Sequence, residues 1–127
     1  MTAHSNEAPD PAEVQAESVN EVRLLGRLAT DPQLRELPSG DTLWNLRVVV
    51  DRRQQSGKPR PRQRVDSLEC AVWSGRLKGQ VPSWKAGDVV EVSGALRRRF
   101  FRAGAGPVSR VEVELTRGRI IRRAGSG

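Results

Sequence analysis

Residues 20–51 read NEVRLLGRLATDPQLRELPSGDTLWNLRVVVD, and their spacing decides the fold. Val22, Leu24, Gly26 and Leu28 alternate with Glu21, Arg23, Leu25 and Arg27. A period of two puts one set on a buried face and the other in solvent, as in a half-buried strand. Asp31-Pro32 and Pro38-Ser39-Gly40-Asp41 carry turn chemistry and bracket a short strand. Trp44, Leu46, Val48 and Val50 then alternate with Leu43, Asn45, Arg47 and Val49. In that register Trp44 belongs to the core or to a subunit contact.

The same period returns three times. Residues 66–73, DSLECAVW, place Leu68, Cys70 and Val72 on one side, and Trp73 ends the strand on the other. Residues 88–102, DVVEVSGALRRRFFR, turn Val90, Val92, Gly94 and Leu96 inward before running into arginines. Residues 108–121, VSRVEVELTRGRII, turn Val111, Val113 and Leu115 inward. Between the first and second of these units, SGRLKGQVPSWKAGD fits one short helix. Ser74 is the expected cap, Pro82 and Gly87 limit the helix, and Trp84 packs it onto the strands.

Five substantial strands with one short helix between strands 3 and 4 cannot form a two-sided parallel sheet, which needs more helices. Closure into a small barrel removes the exposed edges. The expected architecture is all-β: an OB-fold, a five-stranded antiparallel barrel over residues 20–122. Gly26 and Gly94, inside strands, fit the bends that closure demands. An acidic arm over 1–19 and a short frayed end over 123–127 flank it.

Charge points to the ligand class. The net charge of +7 is uneven: residues 1–21 hold five acidic residues and no Lys or Arg. The remainder carries 22 basic residues against 10 acidic ones, and 19 of the basic residues are arginine. Residues 52–64, RRQQSGKPRPRQR, contain six basic residues and no acid, a basic loop broken by proline and glycine. Clustered arginine of this density is the footprint of a polyanion binder.

Residues 94–110, GALRRRFFRAGAGPVSR, place Phe100 and Phe101, two of only five aromatic residues, inside the positive block. If Val90, Val92 and Leu96 are buried, then Arg97, Arg99 and Phe101 face outward, and Phe100 falls on the inward side as a candidate plug for the barrel end. An exposed ring beside arginines suits base stacking, which needs only a π-face and contributes roughly 1–3 kcal/mol per base. Arginine neutralises phosphate and stacks as well. Duplex hides its base faces, so such a surface prefers unpaired strands. The candidate nucleic-acid-binding residues are Arg23, Arg27, Arg47, Arg52, Arg53, Trp73, Arg97, Arg99, Phe101 and Arg102.

Other classes find little support. The one histidine, His4, lies in the acidic arm, and the one cysteine, Cys70, sits in a strand as a small core residue. No metal-ligand cluster or phosphate-cradling glycine loop is visible, because AGAGP precedes a strand and does not open a helix. No catalysis, cofactor or small-molecule substrate is expected. Without an apolar run of membrane-spanning length or a signal-peptide pattern, a cytoplasmic, nucleoid-associated protein is expected.

The order of these motifs resembles that of bacterial single-stranded-DNA-binding proteins, particularly those of high-GC Gram-positive bacteria. Asn20, Val22, Leu24, Gly26, Leu28, Asp31, Pro32, Pro38, Gly40 and Asn45 stand where the family has its opening strand, Asp-Pro, turn and Asn-centred strand. LECAVWSGR, KAGDVVEVSGALRRRFF and VEVELTRGRII resemble its later strands, with Phe101 at a DNA-stacking aromatic position. The resemblance covers about residues 20–121 and implies a homotetramer that wraps single-stranded DNA in replication, repair and recombination.

Two departures modify that expectation. Arg52, Arg53 and Gln54, and Asp66-Ser67-Leu68, stand where members usually carry stacking aromatics. Weaker and more salt-sensitive binding is therefore expected. A chain ending in RRAGSG lacks the acidic tip by which replication members recruit partners, which suggests an accessory or paralogous protein. The acidic arm is a candidate competitor for the basic groove. An RNA-binding OB module and an interaction domain that has lost DNA binding remain open alternatives.

Overall fold

The computed structural model describes residues 17–53, 57–59, 62 and 64–125, the side chains of Phe101 and Ala103 excepted. Most of the acidic arm, including His4, and residues 54–56, 60, 61 and 63 of the basic loop therefore lie outside the described residues. Among the described residues six strands form in the order β1 (Val22–Leu28), β2 (Gln33–Glu36), β3 (Thr42–Asp51), β4 (Val65–Val72), β5 (Val89–Ala103) and β6 (Gly106–Arg122). A single helix, α1 (Arg76–Gln80), and a 3-10 turn, Val81–Ser83, separate β4 from β5.

The strands run β1-β5-β6-β4-β3-β2, and β1 also pairs with β3 at Arg27–Val49 and Leu28–Val48. That extra pairing closes β1, β5, β6, β4 and β3 into a ring, with β2 attached outside β3. This is an OB-fold. One seam differs from an all-antiparallel barrel: β4 and β6 are parallel, Cys70 beside Val113 and Ala71 beside Glu114. Alternation within a strand carries no information about its neighbour's direction.

The period-two reading of β1 matches the burial seen. Leu28 is buried, Val22 and Leu24 pack against the core, and Arg23, Leu25 and Arg27 are exposed. Leu46, Val48, Cys70, Val72, Val90, Val92, Val113 and Leu115 complete the barrel interior. Leu77, Val81 and Trp84 cap its end. Gly118 makes room for this cap, since a Cβ there would lie 2.9 Å from the Trp84 ring and 3.1 Å from Leu77. Burial pushes the Cys70 thiol pKa up to about 12, with Glu69 and Glu112 adding to the effect.

Gly26 and Gly94 mark close backbone approaches. A Cβ on Gly26 would lie 2.3 Å from the Val49 carbonyl oxygen, where β1 meets β3. One on Gly94 would lie 1.8 Å from the Glu114 carbonyl oxygen, beside a register shift between β5 and β6. Four expectations need correction, the first being Val111, expected inward but 47% exposed. Ser74 does not cap α1; Gly75 does, at φ +84°, without a side-chain bond. Leu43 is buried although it lies opposite Leu46. Leu96 is 47% exposed, because the β1–β5 pairing ends at Val22–Gly94 and the hairpin beyond has no strand beside it on that edge. Asn20 caps this boundary: its amide donates to the Leu96 carbonyl at 2.9 Å and accepts from the Leu96 N–H at 2.8 Å.

Arg123 and Ala124 are tied to the barrel through Asp88. Asp88, 1% exposed, accepts from the backbone N–H groups of Lys85 (2.9 Å) and Ala124 (2.8 Å) and from Arg123 (3.3 Å). Burial alone would raise the Asp88 pKa; the Ala124 and Lys85 N–H groups and the Arg123 charge outweigh it and hold the carboxyl below its ordinary value.

Candidate nucleic-acid interface

The β5–β6 hairpin extends past the barrel and leans towards β2 and β3. Between them lies a cleft of about 240 Å³, lined by Arg35 and Leu37, by Leu43 and Asn45 of β3, by Trp73, and by Arg99, Phe100, Arg110 and Glu112 of the hairpin. Its polar contribution is mostly cationic and its apolar contribution is partly aromatic. Trp73 follows β4 immediately, on the face opposite Cys70 and Val72. Its indole N–H is shielded and has no hydrogen-bond partner among the described residues.

Phe100 is 75% exposed at the cleft rim, so it does not plug the barrel end. The alternation that placed it inward runs through a segment that has already left the barrel, where both faces meet solvent. Sequence reasoning missed Phe100, Arg35, Asn45 and Arg110 as cleft residues. The one signal that could have found Phe100 is its place within the arginine run. The backbone of Phe101 pairs with Val108, and its side chain lies outside the described residues.

Most of the expected phosphate-binding arginines are already paired. Arg23 and Arg119 share Glu91, Arg27 lies 3.5 Å from Asp51, and Arg47 meets Glu69 directly across the β3–β4 ladder. Arg52 forms a two-pronged contact with Asp66 at 2.8–3.1 Å. Arg97 reaches Glu114 at 2.9 Å, and Arg99 reaches Glu112 at 2.9 Å and Glu114 at 3.2 Å. Arg53 and Arg102 are exposed, with no carboxylate partner among the described residues. The cleft thus brings together Trp73 and Arg99 of the expected set; the remaining arginines of that set spread over the outer surface.

These pairs shift the acids. The hydrogen bond from Arg97 holds the Glu114 carboxyl below its usual range against the opposing effect of burial. Arg23 and Arg119 do the same to Glu91, and Arg52 does it to Asp66. Exposed ion pairs of this kind are worth only about 0–1 kcal/mol. A phosphate can therefore replace a carboxylate on the same guanidinium at little cost, which makes the pairs an exchangeable surface. Among the described residues no group of three or more His, Cys, Asp or Glu could hold a metal, and no helix is long and apolar enough to cross a membrane.

A barrel with these strand pairings and a basic aromatic cleft finds its counterpart in a known family: the model for the "Single-strand binding protein family" matches residues 19–120. The chain belongs to the single-strand binding protein family. It is a family of non-enzymatic DNA-binding proteins. The single-stranded DNA-binding protein of Oceanobacillus iheyensis is 31% identical over 90 residues, which cover 69% of this chain and 53% of that protein. Single-stranded DNA-binding protein A of Bacillus subtilis is 30% identical over 101 residues, covering 76% and 56% respectively. The chain spans about half the length of these curated relatives. Among solved structures, the Plasmodium falciparum SSB complex with ssDNA matches with a TM-score of 0.67 at 20% identity, covering 84% of this chain and 96% of that one. At that identity the match speaks for the fold alone.

Proposed function

We propose that this protein binds single-stranded DNA without reading its sequence, through arginine–phosphate contacts and base stacking in the cleft between β2–β3 and the β5–β6 hairpin. The observation that carries the reading is the grouping of Trp73 and an exposed Phe100 with Arg35, Arg99 and Arg110 on an OB barrel of the single-strand binding family. Bases enter by their faces, which a duplex does not expose. Arg23, Arg27, Arg47, Arg52, Arg53, Arg97 and Arg102 contribute phosphate contacts along the outer surface, and Phe101 is a further stacking residue on the ground of its sequence position.

A homotetramer acting in replication, repair or recombination as an accessory member of its family completes the proposal. The edge of β1 from Val22 to Gly26 that faces away from β5 pairs with no strand among the described residues, which supports self-association. The test is titration of a labelled dT oligomer, matched duplex and matched RNA at low and high salt, with the assembly mass measured alongside. Preference for the dT oligomer over duplex, falling as salt rises, is the expected result. Equal affinity for duplex and single strand would reduce the surface to a general polyanion binder, and tighter binding to RNA would favour an RNA-binding module.

A further inference from the structure

Arg99 has an unusual setting for a phosphate ligand. Its Cζ lies 4.9 Å from the centroid of the Trp73 ring, within cation–π range. Its Nε donates to Glu112 at 2.9 Å and its terminal nitrogen to Glu114 at 3.2 Å. Glu114 is held in turn by Arg97 at 2.9 Å. The guanidinium is thus held over the indole ring and tied to two carboxylates. A base seeking that face of Trp73 meets the guanidinium first. Both residues line the same cleft, and the Arg99 side chain is still 37% exposed.

We propose that the Arg99 guanidinium, and not the indole beneath it, is the plane on which a base stacks in this cleft, and that Glu112 and Glu114 are positioning residues that hold it there. The inference rests on the single-stranded DNA reading and specifies how that site takes a base. A guanidinium is planar, weakly hydrated and always charged, so it can stack on a base while remaining paired at its edge. The order from the barrel outward is indole, guanidinium, base. Lysine could replace the charge but not the plane.

The experiment measures fluorescence anisotropy of a labelled dT oligomer and of an equally long abasic oligomer, across salt, with wild-type protein, Arg99→Lys and the double variant Glu112→Gln/Glu114→Gln. Thermal melts establish that each variant is folded. Arg99→Lys is expected to lower dT affinity on the order of tenfold while leaving abasic affinity and the salt slope within about twofold, since only the stack is lost. The double variant should bind both oligomers more tightly, because two competing negative charges are gone, yet discriminate less between dT and abasic strands. Unchanged dT-to-abasic preference in Arg99→Lys, or equal loss for both oligomers, would overturn the assignment and leave the single-strand reading standing. Failure of the wild-type protein to bind the dT oligomer would overturn both.

Discussion

Replacing Gly94 with alanine tests the barrel at its tightest point. The added Cβ would lie 1.8 Å from the Glu114 carbonyl oxygen, 2.8 Å from its carbonyl carbon and 2.9 Å from the Leu115 Cα. The first distance is about 1.6 Å short of the 3.4 Å at which ordinary contact begins. Every clashing atom is backbone, so no side chain can swing away. β5 must separate from β6 beside the Ser93–Gly94 register shift. Overpacking of this kind costs about 1–3 kcal/mol. Loss of two ladder hydrogen bonds adds roughly 1 kcal/mol each. The expected destabilisation is therefore about 3–5 kcal/mol, a large share of the roughly 5–15 kcal/mol that stabilises a typical domain. At about 4–8 °C per kcal/mol for a domain near this size, Tm should fall by on the order of 15 °C or more. Differential scanning calorimetry reads this directly. Gly79→Ala is the matched control: nothing lies within 4 Å of its Cβ position, and alanine in α1 should gain roughly 0.5–1 kcal/mol. A Gly94→Ala melt within a degree or two of wild type would refute the close-approach argument.

Other expectations concern charge and exposure. Asp88→Ala leaves the N–H groups of Lys85 and Ala124 and the Arg123 guanidinium without their shared acceptor, and urea unfolding should show a loss of roughly 2–4 kcal/mol. The arginines hold Glu91, Glu114 and Asp66 below the ordinary carboxylate range, so their stabilising contribution is present above the unfolded values near pH 4 and is lost as pH falls through the folded values. A phosphate that takes their arginine returns these carboxyls towards ordinary values. Strand binding should thus take up protons and tighten as pH falls below about 5 towards the folded values; isothermal titration calorimetry in buffers of different ionisation enthalpy would expose the proton uptake, and its absence there would mean the pairs do not open. Phe100→Ala should weaken dT binding by roughly 1–3 kcal/mol with an unchanged melt, because the ring is exposed. With its thiol raised to about 12 and fully enclosed, Cys70 should react with an aromatic disulfide at pH 8 only as fast as the chain unfolds.

Much of the fold is legible in single strands. The alternation of Val22 to Leu28, of Leu46 and Val48, of Cys70 and Val72 and of Val90 and Val92 marks the inner face correctly, because in the barrel one side of each strand meets only apolar neighbours. Trp84 is readable as the cap residue for a related reason, lying just after a short helix bounded by proline and glycine. The excess of positive charge follows from the arginine count alone, since net charge does not depend on which side chains meet.

The cleft is different in kind. Leu96 and Phe100 continue a period that meant burial at Val90 and Val92, but β1 stops beside Gly94, and past that point the same period no longer points at a core. Which arginines are free is also a property of neighbours distant in sequence: Glu91 reaches Arg23, Glu69 reaches Arg47, and Glu114 reaches Arg97 and Arg99 only because the barrel sets these strands side by side. The stack of Arg99 on Trp73 depends on the parallel seam between β4 and β6, which no pattern within one strand encodes. The sequence by itself determined the strands, the buried faces of their barrel segments and the excess of positive charge, because these are local or additive quantities. Tertiary structure alone decided where the strand path leaves the barrel, which cations it must share with carboxylates, and that Arg99 lies over Trp73, because each depends on residues brought together by closure.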